Sequence, residues 1–336
     1  MAGWRTLALP GILILVLATG VLLWSTWMPG TSASAPLPDQ SATEHALSTE
    51  LEADVRALAE GIGQRNMQTE GSMDASVNWI ARRFDEIGYE PRRQEYTLRD
   101  ARFQGDTAAN VIAEVEGESV ADEIVVIGAH YDTVPGSPGA NDNASGVAVL
   151  LSLAEWFRER PQARTLRFVA FANEEHPFHR TSDMGSEVYA LEQRQAGADI
   201  TAMISMDGLG YFSDEPGSQH YPLRPIQWFY PDRGDFIGLI TRTRDAPLVR
   251  RAIGAFRQEA TVPSEGAALP EGIPGVAWSD HRAFWDQGYA ALLVTDTLPF
   301  RDPAYHRPGD TPERLDYDRL ARVSVGLRAV LTELAR

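Results

Sequence analysis

Three short apolar runs, each leading into acids or a histidine, constrain this chain more than any other feature. They are Ile124-Val125-Val126-Ile127, Leu166–Phe171 and Ile204-Ser205-Met206. Their length and their β-branched and aromatic residues suit buried strands, and helical stretches at about 146–159 and 184–194 separate them. Strands alternating with helices predict an α/β fold, a mostly parallel mixed sheet sandwiched by helices. In such sheets the loops at the carboxyl ends of the strands converge, and ligands collect there. His130 follows the first run, the pair Glu174-Glu175 the second, and Asp207 the third.

The remaining pattern extends this frame. Helices are predicted over about 41–62 and 73–87, with Val77, Ile80 and Phe84 at helical spacing and Gly88 as the stop. Strands are expected at 93–97, 109–115, 123–129, 165–172 and 200–206. From Gly208 to about Gly275 the rhythm breaks into a Gly-, Pro- and aromatic-rich stretch. It reads as an insertion over the carboxyl edge of the sheet, with a strand at 226–230 and a helix at about 246–258. A short helix at about 280–287, a strand at 290–295 and a closing helix at about 316–335 restore the pattern. Residues 49–336 thus form the folded domain.

Composition removes whole classes of chemistry. The 336 residues include no cysteine, so thiol nucleophiles, thiolate metal sites and disulfides are all excluded. All 30 basic residues are arginine, which excludes Schiff-base catalysis and a Walker-type phosphate loop. A net charge of −17 repels phosphate backbones, so no nucleic acid partner is expected.

The first 28 residues stand apart from the fold. Leu7 to Met28 carries no charge, Arg5 precedes it, and no basic residue follows until Arg56. That pattern predicts a single-pass anchor over residues 7–28, with the catalytic part outside the cytoplasm, periplasmic or extracellular. Ala33-Ser34-Ala35 offers an alternative, cleavage near Ala35 and secretion. Residues 29–48 read as a flexible linker.

At the strand ends the residue types point to metal chemistry. His130, in Ala129-His130-Tyr131-Asp132, has a carboxylate two residues on that can hold its second ring nitrogen. Asp142 lies in Gly139-Ala140-Asn141-Asp142-Asn143-Ala144-Ser145-Gly146, where a helix N-cap is the plain alternative. Glu174 and Glu175 would repel each other without a cation; one can bind metal while its neighbour serves as general base. Asp207, and His306 in Tyr305-His306-Arg307-Pro308-Gly309-Asp310-Thr311, complete the set. Two imidazoles and several carboxylates at one sheet edge suit two metal ions and a hydrolase.

In that order the motifs resemble the zinc aminopeptidases of family M28: H-x-D, G-x-x-D-N-A-S-G, E-E, D, then a late H before D-T. The resemblance covers about residues 49–336 and includes Asn110-Val111-Ile112 and Ser279-Asp280-His281. It implies two Zn2+, replaceable by Co2+ or Mn2+, with Asp142 bridging. His130 and Asp207 would complete one site, and Glu175 and His306 the other. Glu174 would be the base and Asp132 the partner of His130. A cis peptide after Asp142 is also implied. Peptides with a free N-terminus would be the substrates. A carboxypeptidase or dipeptidase on the same scaffold is the main alternative, needing a cation such as Arg180 or Arg224 for a substrate carboxylate. A glutaminyl cyclase works with one zinc, and a non-catalytic ectodomain should have lost ligands. The loop His176–Asp183 is longer than the usual link, and its histidines are expected at the pocket rim. The motifs identify no oxyanion donor; a tyrosine such as Tyr211 or Tyr305 could serve, with a core or rim role as the plainer reading of both.

Overall fold

The computed structural model describes Gly20 and residues 23–336. Most of the expected anchor at 7–28 therefore lies outside the described residues. Among those described, no helix is long and apolar enough to cross a membrane.

Helix α1 (Ala42–Arg56) starts where its sequence says it should. Ser41 and Glu44 form a reciprocal capping box that satisfies two otherwise orphaned N–H groups. The helix runs into a wider turn at Ala57–Ile62. Helix α2 (Ser72–Ile87) ends on Gly88, whose left-handed φ of 100° suits a residue without Cβ. Eight strands follow, interleaved with helices: β1 (Arg92–Thr97), β2 (Thr107–Val115), β3 (Val120–His130), α3 (Gly146–Phe157), β4 (Arg164–Phe171), α4 (Gly185–Gln195) and β5 (Asp199–Met206). Then come β6 (Ile237–Arg242), α5 (Ala246–Glu259), β7 (Ser264–Leu269), α6 (His281–Asp286), β8 (Ala291–Thr295) and α7 (Tyr317–Leu334).

All eight strands join one mixed sheet in the order β1-β2-β4-β3-β5-β8-β6-β7. The centre, β4-β3-β5-β8, is parallel, while β2 and β6 run against their central neighbours. Helices α1, α2, α3, α5 and α7 bury one face and α4 and α6 the other, giving two apolar layers. From β3 the chain passes to β4 on one side and then to β5 on the other. This reversal opens a crevice at the carboxyl ends of those strands, the usual place for a ligand in an open α/β sheet.

The segment 208–275 departs from expectation. It supplies β6 and β7 to the sheet as well as covering its edge. Where a strand was expected at 226–230, Arg224–Trp228 is a 3-10 helix. Pro225 fixes φ at its start and cannot donate to a ladder. Trp228 and Phe229, the residues that suggested a strand, are exposed. The stretch after Met28 is laid along the domain. Arg257 donates to the Pro29 carbonyl, Ser32 Oγ accepts from the Ser264 amide, and Arg322 donates to the Pro38 carbonyl.

Candidate metal centre

The crevice gathers all seven residues singled out from the sequence. His130, the last residue of β3, is 1% exposed. Its Nε2 lies 3.3 Å from Asp142 Oδ1 and 3.3 Å from Asp207 Oδ1. Across Asp142, His306 Nε2 lies 3.1 Å from Asp142 Oδ2 and 3.1 Å from Glu175 Oε1. Two triads, His130–Asp142–Asp207 and Asp142–Glu175–His306, thus share one aspartate, each of whose oxygens faces a different triad.

The donors fit metal ions. A tetrahedral ion with bonds of about 2.0–2.1 Å separates its ligands by roughly 3.3 Å, close to the spacing of both triads. Electrostatics agree. Burial pushes His130 down, but Asp207, Asp132 and Asp142 overcome it and hold the imidazole well above its ordinary range. Burial also opposes protonation of His306, yet Asp142 and Glu175 raise it to about 10. Burial and the Asp142 charge push Glu175 up to about 8. Burial, with Glu175 and Asp207 nearby, raises Glu174 well above the carboxylate range against the pull of His130. A cluster of buried carboxylates and imidazoles with shifts this large is a site that a bound cation would stabilise.

Asp132 ties two of these strands together. Its Oδ1 lies 3.4 Å from His130 Nδ1, and its two oxygens accept the Glu174 and Glu175 amides, each at 3.0 Å. The Asp142 loop is held from several sides. The Asp142–Asn143 peptide is cis, as the resemblance implies. Asn143 donates to the Met206 carbonyl and accepts from the Gly146 and Gly208 amides. A Cβ at Gly146 would strike Asn143 Oδ1, so glycine is required where α3 begins.

Two participants are given no role by the sequence, and a third lies deeper than expected. Asp310 accepts the amides of Asn141 and Asp142, at 2.7 and 3.1 Å. Arg65, fully buried, forms no ion pair among the described residues and donates to the carbonyls of Leu58, Gly63, Tyr131, Pro138 and Gly139. It pins the Asp142 loop to the turn after α1. His179, expected at the rim, reaches further in: its Nδ1 is 3.0 Å from Glu174 Oε1. The same Nδ1 lies 3.2 Å from the Glu174 carbonyl, which can only accept, so Nδ1 carries the proton and donates to Glu174; burial lowers His179 to about 4. His176 packs against His179, their ring centroids 5.4 Å apart. Tyr305 stacks on His306 and lines the crevice, whereas Tyr211 does not line it.

The crevice continues from Asp142, Glu174, Glu175, Asp207 and His306 into an apolar cavity of about 120 Å³ beneath β6, β7 and β8. Among the described residues lining it, none is arginine. Arg180, a candidate grip for a substrate carboxylate, donates instead to the Ala277 carbonyl, and neither it nor Arg224 lines the cavity.

Sheet order and donor set together define a mixed α/β protein with a candidate two-metal centre at the carboxyl ends of its central strands. The chain belongs to peptidase family M28, whose family model matches residues 110–331. It is 33% identical to the uncharacterized protein YfbL of Escherichia coli, over 95% of this chain and 96% of that one. Leucine aminopeptidase 1 of Arthroderma otae is 26% identical, over 78% of this chain and 67% of the other. Among solved structures, the zinc aminopeptidase BSAP of Bacillus subtilis matches with a TM-score of 0.65 at 16% identity, over 85% of this chain and 94% of that one. At that identity the last likeness speaks to the fold alone.

Proposed function

We propose that this metallopeptidase is a dizinc aminopeptidase that removes N-terminal residues from peptides. The observation that carries the reading is the charge of the cavity. Its charged lining is acidic apart from the His220 and His306 imidazoles, which suits a substrate α-ammonium, and it offers no arginine for a C-terminal carboxylate. A carboxypeptidase or dipeptidase needs that cation. The completeness of both triads weighs against a one-zinc cyclase and against a binding module that has lost its chemistry.

In this reading His130, Asp142 and Asp207 hold one Zn2+, and Asp142, Glu175 and His306 the other; Co2+ or Mn2+ can replace them. When bound, the ions supply positive charge that acidifies water and polarises the scissile carbonyl. Glu174, not needed as a ligand, accepts the proton of the attacking water and returns it to the leaving amine. His179 fixes the Glu174 carboxylate by donating to Oε1. Asp132 holds the tautomer of His130 and, through two amides, the backbone of Glu174 and Glu175. Tyr305 is the better placed of the two candidate oxyanion donors, because it alone lines the crevice.

The uncharged run Leu7–Met28 supports anchoring to a membrane with the enzyme on its outer side. Trp24 and Trp27, both exposed, stand at its carboxyl end, where interfacial aromatics are common. Membrane fractionation before and after alkaline washing tests this, and recovery of a chain beginning near Pro36 in the soluble fraction would contradict it.

The activity is tested with aminoacyl and N-blocked peptides, with and without chelator. Hydrolysis of free-amine substrates that chelator abolishes is expected; activity on N-blocked substrates alone refutes the reading. Glu174→Gln should keep its metal and lose about 10²–10⁴-fold in turnover, the usual worth of a general base. Near-normal turnover would remove Glu174 from that role.

A further inference from the structure

The cavity that leads away from the triads is apolar along its walls, with Ile240, Leu269 and Leu293 on the sheet side. One ionisable group interrupts it beyond the metal cluster and His220. Glu265 sits on β7, and residues 265, 267 and 269 of that strand all line the cavity while Ala268 turns into the helical core. Across the sheet Glu265 pairs with Gly238, which pairs in turn with Thr295. Glycine between them leaves the row open, so the Glu265 side chain borders the space that a larger residue at 238 would occupy.

Among the described residues Glu265 accepts no hydrogen bond and forms no ion pair. Arg257 is near enough to attract its charge, but that guanidinium donates to Ser264 and to the Pro29 carbonyl, and the other polar groups nearby are committed as well. Tyr221 and Tyr230 donate to the Pro231 and Gly266 carbonyls, and Gln219 is bound to Arg301, Thr297 and the His220 carbonyl. The rings of Tyr221 and Tyr230, 6.1 Å apart, line the same region. A half-buried carboxylate without a direct ion pair or hydrogen bond among the described residues, beside two aromatic rings and beyond an apolar passage, is complementary to a long aliphatic stem with a cationic head.

We propose that Glu265 is a specificity-determining residue that selects arginine or lysine as the N-terminal residue of the substrate. The stem lies along Ile240, Leu269 and Leu293, and the guanidinium or ammonium meets Glu265 between the tyrosines. This rests on the aminopeptidase reading above, and one experiment separates the two.

The zinc-loaded full chain is assayed on arginyl, lysyl and norleucyl p-nitroanilides; norleucine reproduces the stem without the charge. The arginyl or lysyl substrate should exceed the norleucyl one in kcat/KM by about tenfold or more, chiefly through KM. Glu265→Gln should lower that ratio by a similar factor, and Glu265→Asp by less. A wild-type ratio at or below one, or a ratio unmoved by Glu265→Gln, overturns the assignment while leaving an aminopeptidase. Should Glu265→Gln fail to fold, the wild-type ratio alone still decides. Hydrolysis of none of the three substrates removes the aminopeptidase reading and this proposal with it.

Discussion

The two triads share Asp142 but are built differently. His130 ends a central strand, Asp207 follows the neighbouring one, and both are buried behind the apolar layers of the sheet. Around His306 the framework is loop. That residue lies far from any strand, has a left-handed φ of 59°, and leaves 30% of its side chain exposed. Glu175, its partner, stands four residues beyond Phe171, the last residue of β4, and is held there by an Asp132 oxygen. One triad is therefore part of the core and the other is mounted on its rim. A ligand set fixed by packing loses little freedom on binding metal, while a loop-mounted set must be ordered by it. With two ions bound as proposed, the His130 triad should hold its metal more tightly and the His306 triad should exchange its metal more readily.

The largest effect is expected at the residue common to both. Asp142→Asn removes charge from each triad at once and should cost about 10⁴-fold or more in activity, with metal affinity lost at both sites. Elemental analysis beside turnover checks this, and one fully retained metal would show that Asp142 is not shared.

The pH dependence of the metal-free protein probes the rim triad. His306 has its pKa raised to about 10 in the fold, so its contribution is complete below its unfolded value near 6.5 and is lost as pH rises through 10. Glu175, raised to about 8, works in the same direction from about 4.5 upward. After chelation the melting temperature should fall steadily from pH 6.5 to 10. With metal bound the ligands are already deprotonated, and the slope should be much flatter. Equal slopes in the two forms would mean that no ion replaces those protons. Smaller still is the effect expected at His179: replacing it with Ala should lower kcat severalfold through Glu174 and leave both metals in place.

The same contrast governs what could be read from the sequence. His130, Glu174, Glu175 and Asp207 were legible because each closes an apolar run, so a local pattern gives both element and location. Asp142 and His306 lie on loops and gained meaning only from their order in a family motif. Arg65 was silent: a lone arginine between helices says nothing of carbonyls 66 to 74 residues away. His179 was assigned to the rim because loop length does not reveal that the chain folds back onto Glu174. The misread strand at 226–230 has a related cause, since exposed aromatics mimic a strand pattern. Conversely β7, Ser-Glu-Gly-Ala-Ala-Leu, carries no strand preference and is held by its neighbours. Its Glu265 was unreadable for the same reason.

The central claim, two metal ions on unequal triads, is tested most directly by counting metal. Wild type, His306→Ala and His130→Ala are loaded with zinc, dialysed against a weak chelator, and analysed for zinc per chain. Two ions in wild type, one in His306→Ala, and loss of the tightly held ion in His130→Ala are predicted. A single ion in wild type, or His306→Ala losing both while His130→Ala keeps one, would contradict the account.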